Sequence, residues 1–577
     1  MTAALELGER WRTRWRVLRA GRGGGGGLLW QPATRGAGSA VRGHPILAGV
    51  WHLAGHYVET EADPWDIVPP SVPFEMQVHG QGWLDDVLAA GGPEARAAAR
   101  GWVLRWARRF GRGEGRGWDP ALTGRRLLRW IDHASALTDG MAPRERQAFA
   151  AHLQVHAGYL AEAWREAPAG LPRMEALAGL LYGGMTLAGR EALAGMAADG
   201  LVAAAESDIG PDGGIPSRNP EALLETTLLL GWCTTLLAAA GAVPEPLGVA
   251  LGRAREALRS LRHADGGLAR FHGGGRGLPG RLEQALGGGD GRFGSAPAAR
   301  VMGFLPVRQG GTTLVADAAA PPEGAASGSA HASTLAFEMT CGPSPLVVNC
   351  GPGGAFGPEW HRAGRATASH STLQVGAVSS ARIGAPVAQG GRRIAPLVQG
   401  PAIVRCERDD GPRGTTLTLS HDGYAPSHGL VHLRRLVLAA DGCGLIGEDA
   451  LHAPTQADRA RLQAAQAAEA AEGDGGVPFH IRFHLHPDSE ATLDPEDGSV
   501  LVALTSGERW RFRAGEGVAV SVEASVHLEP GRRKPRPAQQ VVLFGRVSAY
   551  AATVGWTLAR EAGPTDAHGG ESEDQAE

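Results

Sequence analysis

Residues 364–376 read GRATASHSTLQVG, and the fold turns on what His370 is doing there. An imidazole ringed by Ser and Thr at the mouth of a β-prone run is unneeded in an apolar strand and out of place in a loose loop. The setting fits a catalytic or metal-binding edge, or a strand histidine whose polar atoms are satisfied by its neighbours. The surrounding sequence is strand-like. Short alternating or β-branched runs such as TTLVADA, STLAFEM, PLVVNC, TTLTLS, LRRLVLA, IRFHLH and QVVLFGRV recur after residue 300, separated by turns. Many short strands punctuated in this way predict an antiparallel β-sandwich over 301–562.

Upstream the period changes. Apolar residues return every three or four positions in ALTGRRLLRWIDHASAL (121–137), RQAFAAHLQVHAGYLAEAW (146–164) and PEALLETTLLLGWCTTLLAAA (220–240), with short Gly, Pro and Asp turns between them. This predicts helical hairpins packed as antiparallel neighbours from 73 to 272. No fixed-period repeat marks a solenoid. Residues 273–300 are glycine-rich and read as a linker, and 1–72 read as an irregular lead. Residues 459–476 read as an Ala/Gln/Glu-rich insert forming a surface helix, and the acidic stretch 563–577 as a disordered tail. The fold class expected is α+β multidomain.

Composition narrows the function classes. The 577 residues suffice for two or three domains with a substantial core. A net charge of -4 draws the protein as a whole neither to nucleic acid nor to anionic lipid, so an anionic ligand has to be met locally. Five dispersed cysteines without a CxxC pair exclude a disulfide framework and a thiolate zinc site. Arginines stand at 10, 12, 14, 16, 19 and 22, but no apolar core with a cleavage site follows, so no signal peptide is visible. No uninterrupted apolar run reaches membrane-spanning length, and no membrane span is expected.

Several groups carry candidate chemistry. HGQGWLDDV (79–87) and GWDPALTGRRLLRW (117–130) bring Trp83, Trp118, a histidine and paired arginines to helix starts, either as a sugar- or carboxylate-binding surface or as packing anchors. In PDGGIPSRNPEAL (211–223), Arg218 and Asn219 follow a Gly-pair turn. A guanidinium beside a carboxamide suits a carboxylate, whereas Asn219 alone suits a cap on the next helix. His331, Asn349 and His370 form a spaced set of two imidazoles and an oxygen, a candidate zinc site.

With those residues in view, the chain resembles the heparinase II/III family of polysaccharide lyases. RATASHSTLQV is similar to that family's Arg-(Ser/Thr)-x-x-x-His-(Asn/Ser)-Thr-(Leu/Val) signature, SAHASTLAFEM to its His-x-His-Ala-Asp run, and VVNCG to Val-Asp-x-Gly. The resemblance implies an incomplete (α/α) toroid followed by an antiparallel β-sandwich. It implies β-elimination on a uronic-acid-containing acidic polysaccharide in a cleft between the two, with zinc on His331, Asn349 and His370, and a place in the cell envelope or periplasm. The cytoplasm stays open because no export signal is visible.

The same resemblance locates departures. Leu171 and Pro172 stand where the family has an Asn-His pair, Ala222 where it has its catalytic Tyr, Ser329 where it has the first His, and Asn349 where it has the zinc Asp. The candidates left for catalysis are Arg218, Asn219, Ser329, His331 and Tyr424, and for substrate binding Trp118, Trp360, His361 and Arg365. His421, His428, His480, His484 and His486 are further imidazoles, those of the HIRFHLH run reading as a packed strand face. The alternatives are a catalytically degenerate glycan-binding protein of the same fold, or a hydrolase using Asp212 with Glu221 or Glu225 as opposed carboxylates.

Overall fold

The computed structural model describes residues 2–21, 26–36, 38–241, 243–287, 299–389, 392–472, 475–529 and 531–561. The expected acidic tail lies outside them, as does the stretch 288–298 of the expected linker. The chain divides into two compact units. A helical one comprises Met1–Gly213, Ala222–Arg255 and Pro279–Gly289, and a β-rich one comprises Gly214–Glu221, Glu256–Leu278 and Asp290–Glu577. The loop carrying Arg218 and the segment carrying His263, Arg270 and His272 therefore belong with the sandwich, which a single boundary near 272 does not capture.

The helical unit packs around the helix Pro120–Asp132, nearly all of which is buried. Pro120 opens it and the Asp119 carboxylate accepts hydrogen bonds from the Ala121 and Leu122 amides, a side-chain N-cap. Its closest neighbour is Leu171–Thr186. Gly124 lies against the backbone of Glu175 and Ala176, and Gly179 against that of Gly124. A Cβ at either position would overlap main-chain atoms, so the two helices cross at backbone contact. Trp51, Trp83, Trp106, Trp118 and Trp130 are all at most 3% exposed and pack on one another and on His156. The expected irregular lead is ordered instead. It forms a helix, Thr2–Ala20 (α1), a second helix, Ala40–Leu47, and a hairpin pairing Val50–Leu53 with His56–Glu59. The hairpin turn, Ala54–Gly55, has positive φ at both residues, a two-residue turn without the Asn-Gly that would have revealed it in the sequence. Pro220–Ala239 is long and apolar enough to cross a bilayer by length and composition alone, yet 56% of its most apolar window is buried in the protein.

The β-rich unit is a sandwich of two antiparallel sheets. One runs Ala519–His527, Arg536–Val547, Val477–Leu485, Ser344–Val348, Phe337–Cys341, Thr312–Asp317 and Phe304–Gln309, with Leu373–Val375 also paired to Val477–Leu485. The other runs Val404–Gly411, Gly414–Tyr424, Leu430–Ala439, Gly444–His452, Ala551–Arg560, Arg509–Ala514, Val500–Leu504 and Ser489–Leu493. Alternation does the sorting: Leu430–Ala439 buries every second residue, and so does the first half of Val477–Leu485. The core between the sheets joins Phe337 and Phe483 of one to Phe512 and Trp556 of the other. The Ala/Gln/Glu-rich insert is the helix Gln456–Glu472.

Candidate functional site

His370 stands at the end of a 3-10 turn, Thr367–Ser369, just before the strand Leu373–Val375. Its Nδ1 is 2.8 Å from the Ala366 carbonyl, and its Nε2 is 3.0 Å from His331 Nδ1. The two rings meet edge to face, 5.1 Å apart, and both residues are buried. A carbonyl only accepts, so His370 carries its proton on Nδ1 and accepts at Nε2. His331 must then donate from Nδ1, leaving its Nε2 unprotonated. Burial pushes the His370 imidazole down to about 4. Burial, together with the nearby His370, His272 and Arg365, holds His331 well below the ordinary histidine range. Both rings are therefore neutral at pH 7.

The surrounding groups are tightly committed. The His331 amide donates to His272 Nδ1 at 3.1 Å, which turns His272 Nε2 towards Asp317, 3.6 Å away. Asp317 takes the Ser333 hydroxyl at 2.7 Å and an ion pair from Arg218. Beneath the loops, Arg434 donates to the Leu335 and Ser371 carbonyls at 2.9 and 2.8 Å, while its Nε is 2.7 Å from Asp449. Asp449 also meets His432 at 2.7 Å and the Trp556 indole at 3.0 Å. Burial would raise the Asp449 carboxyl, but Arg434 and His432 hold it low. One buried ion cluster inside the sandwich thus grips the chain at Leu335, four residues after His331, and at Ser371, next to His370.

The other candidates behave differently from expectation. Arg218 is no carboxylate clamp: its guanidinium donates to the Met302, Gly303, Ala319 and Ala320 carbonyls and pairs with Asp317, while lying 4.7 Å over the Phe304 ring. Asn219 donates to the His272 carbonyl at 3.2 Å. Ser329, half-buried at the end of a 3-10 turn, lies against Gly273. Tyr424 is fully buried and donates to the Leu373 carbonyl at 2.8 Å. Burial raises its phenol far above the ordinary range, so it is a core residue rather than an acid at the site. Trp118, 2% exposed with its indole bonded to the Phe110 carbonyl at 2.7 Å, is a packing anchor of the helical unit. Arg365, 1% exposed, spans the Ala330, Ala395 and Ser327 carbonyls at 2.7, 2.7 and 3.0 Å. Trp360 and His361 are half-buried on the helix Pro358–Gly364. An open depression of about 610 Å³ nearby is walled by Arg362, Arg365, Ser380, Arg382 and Gln399. Glu225 is paired with Arg281, and Glu221 accepts the Gly275 amide at 2.8 Å, so neither is poised as a hydrolytic carboxylate.

Zinc is tested by the donor set. The two imidazole nitrogens are suitably close, but Asn349 Oδ1 takes the Ser371 amide at 3.0 Å, and the Asn349 amide nitrogen faces Glu338. Glu338, the nearest carboxylate to Asn349 in this network, accepts the Arg270 and Asn349 amides. Among the described residues, no third His, Cys, Asp or Glu atom joins His331 and His370 as a ligand set. The one such cluster is Asp85, Asp132 and His133 in the helical unit, where Arg35 and Arg129 already balance the carboxylates. As arranged, the three sandwich residues do not fit a zinc ion.

His272, Asp317, Arg434 and Asp449 have no motif to mark them. Only ARFHGGG, a histidine at the edge of a glycine run, hinted at His272.

Residues 293–557 match the model of the heparinase II/III-like C-terminal domain. FtsZ-localized protein C of Caulobacter vibrioides is 33% identical over 534 residues, 91% of this chain and 88% of that protein. This chain belongs to the heparinase II/III-like family. Among solved structures, heparinase III superposes with a TM-score of 0.70 at 13% identity, covering 93% of this chain and 86% of that one. A mutant of the heparan sulfate lyase HepC from Pedobacter heparinus gives 0.59 at 15%, covering 93% and 84%. At those identities the likeness is one of fold, the helical toroid followed by a β-sandwich.

Proposed function

We propose that this heparinase-fold protein works at the cell-division site, in association with FtsZ, and that family-type β-elimination is not its working chemistry. A lyase must neutralise a uronate carboxylate, take the C5 proton and protonate the departing oxygen. The observation that carries the reading is the commitment of the groups available for those tasks. Arg218 is taken up by four backbone carbonyls and Asp317, Arg365 is held by three backbone carbonyls, and the Tyr424 hydroxyl is sealed in the core. Leu171, Pro172 and Ala222 have no proton to give. The near full-length likeness to FtsZ-localized protein C supports the partner.

Two measurements test this. Incubated with a panel of uronate polysaccharides, the protein is expected to produce no unsaturated, ultraviolet-absorbing ends, while it co-sediments with polymerised FtsZ from its own organism. A chromophore that grows with time and disappears in His331→Ala would overturn it. That outcome belongs to the one competing reading with an observation behind it, a lyase acting on an acidic polysaccharide with His331 as base, which the unprotonated Nε2 favours. Retention of the polysaccharide without product would instead mark a glycan-binding protein.

A further inference from the structure

The open depression beside Arg365 is walled by segments of the β-rich unit alone: the helix Pro358–Gly364, the loop 378–381, the paired strands Arg382–Ile383 and Leu397–Gln399, and the turn at 423–427. A tight crossing fixes its shape. A Cβ on Gly423 would lie 2.7 Å from the Ser380 carbonyl, so the end of the strand Gly414–Tyr424 sits directly against the loop. At about 610 Å³ the depression falls within the roughly 300–1,000 Å³ of ordinary small-molecule sites.

Its lining charge is one-sided. Arg362, Arg365 and Arg382 contribute to the walls, and no Asp or Glu does. Asp422, next to the wall in sequence, is spent on the Ala402 and Ile403 amides at 2.8 and 2.9 Å. Arg365 bonds to three carbonyls and, among the described residues, to no carboxylate. Burial lowers its guanidinium to about 10, which leaves it charged at pH 7. That uncompensated charge, shielded from water, acts on the depression as a field. Arg362 is exposed, and its guanidinium makes no hydrogen bond or ion pair among the described residues. Arg382 is exposed too, with Nε 3.3 Å from the Gln399 carboxamide oxygen. The Ser379 hydroxyl accepts the Thr367 amide at 3.1 Å and keeps its own proton for a further acceptor.

We propose that this depression binds a phosphorylated sugar, its phosphate monoester held by Arg362 and Arg382 and its ring hydroxyls by Ser379 and Gln399. Charge selects the anion. A phosphate monoester carries about −1.5 to −2 at pH 7 and three acceptor oxygens, which match two exposed guanidinium forks over a third buried one; a carboxylate or a sulfate ester brings a single charge. The lining selects the rest of the ligand. It has no Trp, Tyr, Phe or His on which a nucleobase could stack, while its hydroxyls and carboxamide suit a polyhydroxylated ring. The inference stands on the sandwich alone and is independent of the proposed association with FtsZ.

The test is calorimetric titration of the full chain with glucose 6-phosphate, against glucose, inorganic phosphate, glucose 6-sulfate, glucuronate and AMP. Glucose 6-phosphate is expected to bind roughly tenfold or more tightly than each of the others, and to weaken as salt is added. The double variant Arg362→Ser/Arg382→Ser changes only exposed side chains and should keep its melting temperature while losing roughly tenfold or more in affinity. No binding of glucose 6-phosphate at millimolar concentration, or binding undiminished in the double variant, would overturn the proposal. Equal binding of glucose 6-sulfate or glucuronate would overturn the choice of phosphate, equal binding of inorganic phosphate the need for a sugar, and equal or tighter binding of AMP the exclusion of a base.

Discussion

At the scale of single residues, the buried arginines around His331 and His370 are bonded to backbone carbonyls of the loops there. Arg218 shows this most clearly. It adopts φ 50°, a left-handed conformation uncommon outside glycine, and its guanidinium is bound by four carbonyls and one carboxylate. Replacing it with alanine would leave Asp317 buried with its main cation gone, and Arg218→Ala should lose about 3 kcal/mol or more in denaturant unfolding. A substrate-binding arginine at the surface would lose almost nothing in that measurement. Asn349 supports a second expectation. The purified protein should contain well under one zinc per chain by elemental analysis, and Asn349→Asp, which exchanges the carboxamide that accepts the Ser371 amide for a carboxylate, should raise the content. A wild-type protein with stoichiometric zinc lost on His370→Ala would refute the metal-free arrangement.

At the scale of elements, much was legible. The helical periods of 121–137, 146–164 and 220–240 are helices, and each quoted β-branched run lies on or against a strand. Alternation and amphipathic period are local properties, so they survive in the sequence. Strands such as Arg509–Ala514, which reads RWRFRA, were missed because their charged outer residues mask two inward aromatic rings. Contact partners were not legible at all. Nothing in GRRLL or SRNPE says that Arg126 is sealed among Trp106, His156 and two backbone carbonyls, or that Arg218 reaches residues a hundred positions away. The candidate site was therefore half readable: the histidine motif identified His331 and His370, whereas the fate of every arginine depended on tertiary structure. The Gly124–Gly179 crossing is an element-scale test. Gly124→Val should drive the helices Pro120–Asp132 and Leu171–Thr186 apart and reduce stability by about 1–3 kcal/mol or abolish folding, whereas alanine at exposed Gly195 should be tolerated.

At the scale of the whole molecule, buried neutral histidines set the acid limit. Burial pushes His79 and His370 down to about 4 and His484 to about 3. These groups bind protons more readily in the unfolded chain, so their contribution is complete above about pH 6.5 and is lost as the pH falls towards 4. For His370 alone the span is on the order of 3 kcal/mol. Thermal unfolding followed from pH 7.5 to 4.5 should show a steep fall in melting temperature below pH 6.5, shallower in His370→Gln; a flat profile would contradict the neutral pair. The path of the chain between the two units has a consequence of another kind. Because residues 214–221 and 256–278 cluster with the sandwich while 222–255 and 279–289 cluster with the helices, neither half is a contiguous gene segment. A splice at the glycine run would strand Arg218, His263, Arg270 and His272 on the wrong piece, so recombination cannot trade this sandwich as a cassette, and the two halves must be inherited together.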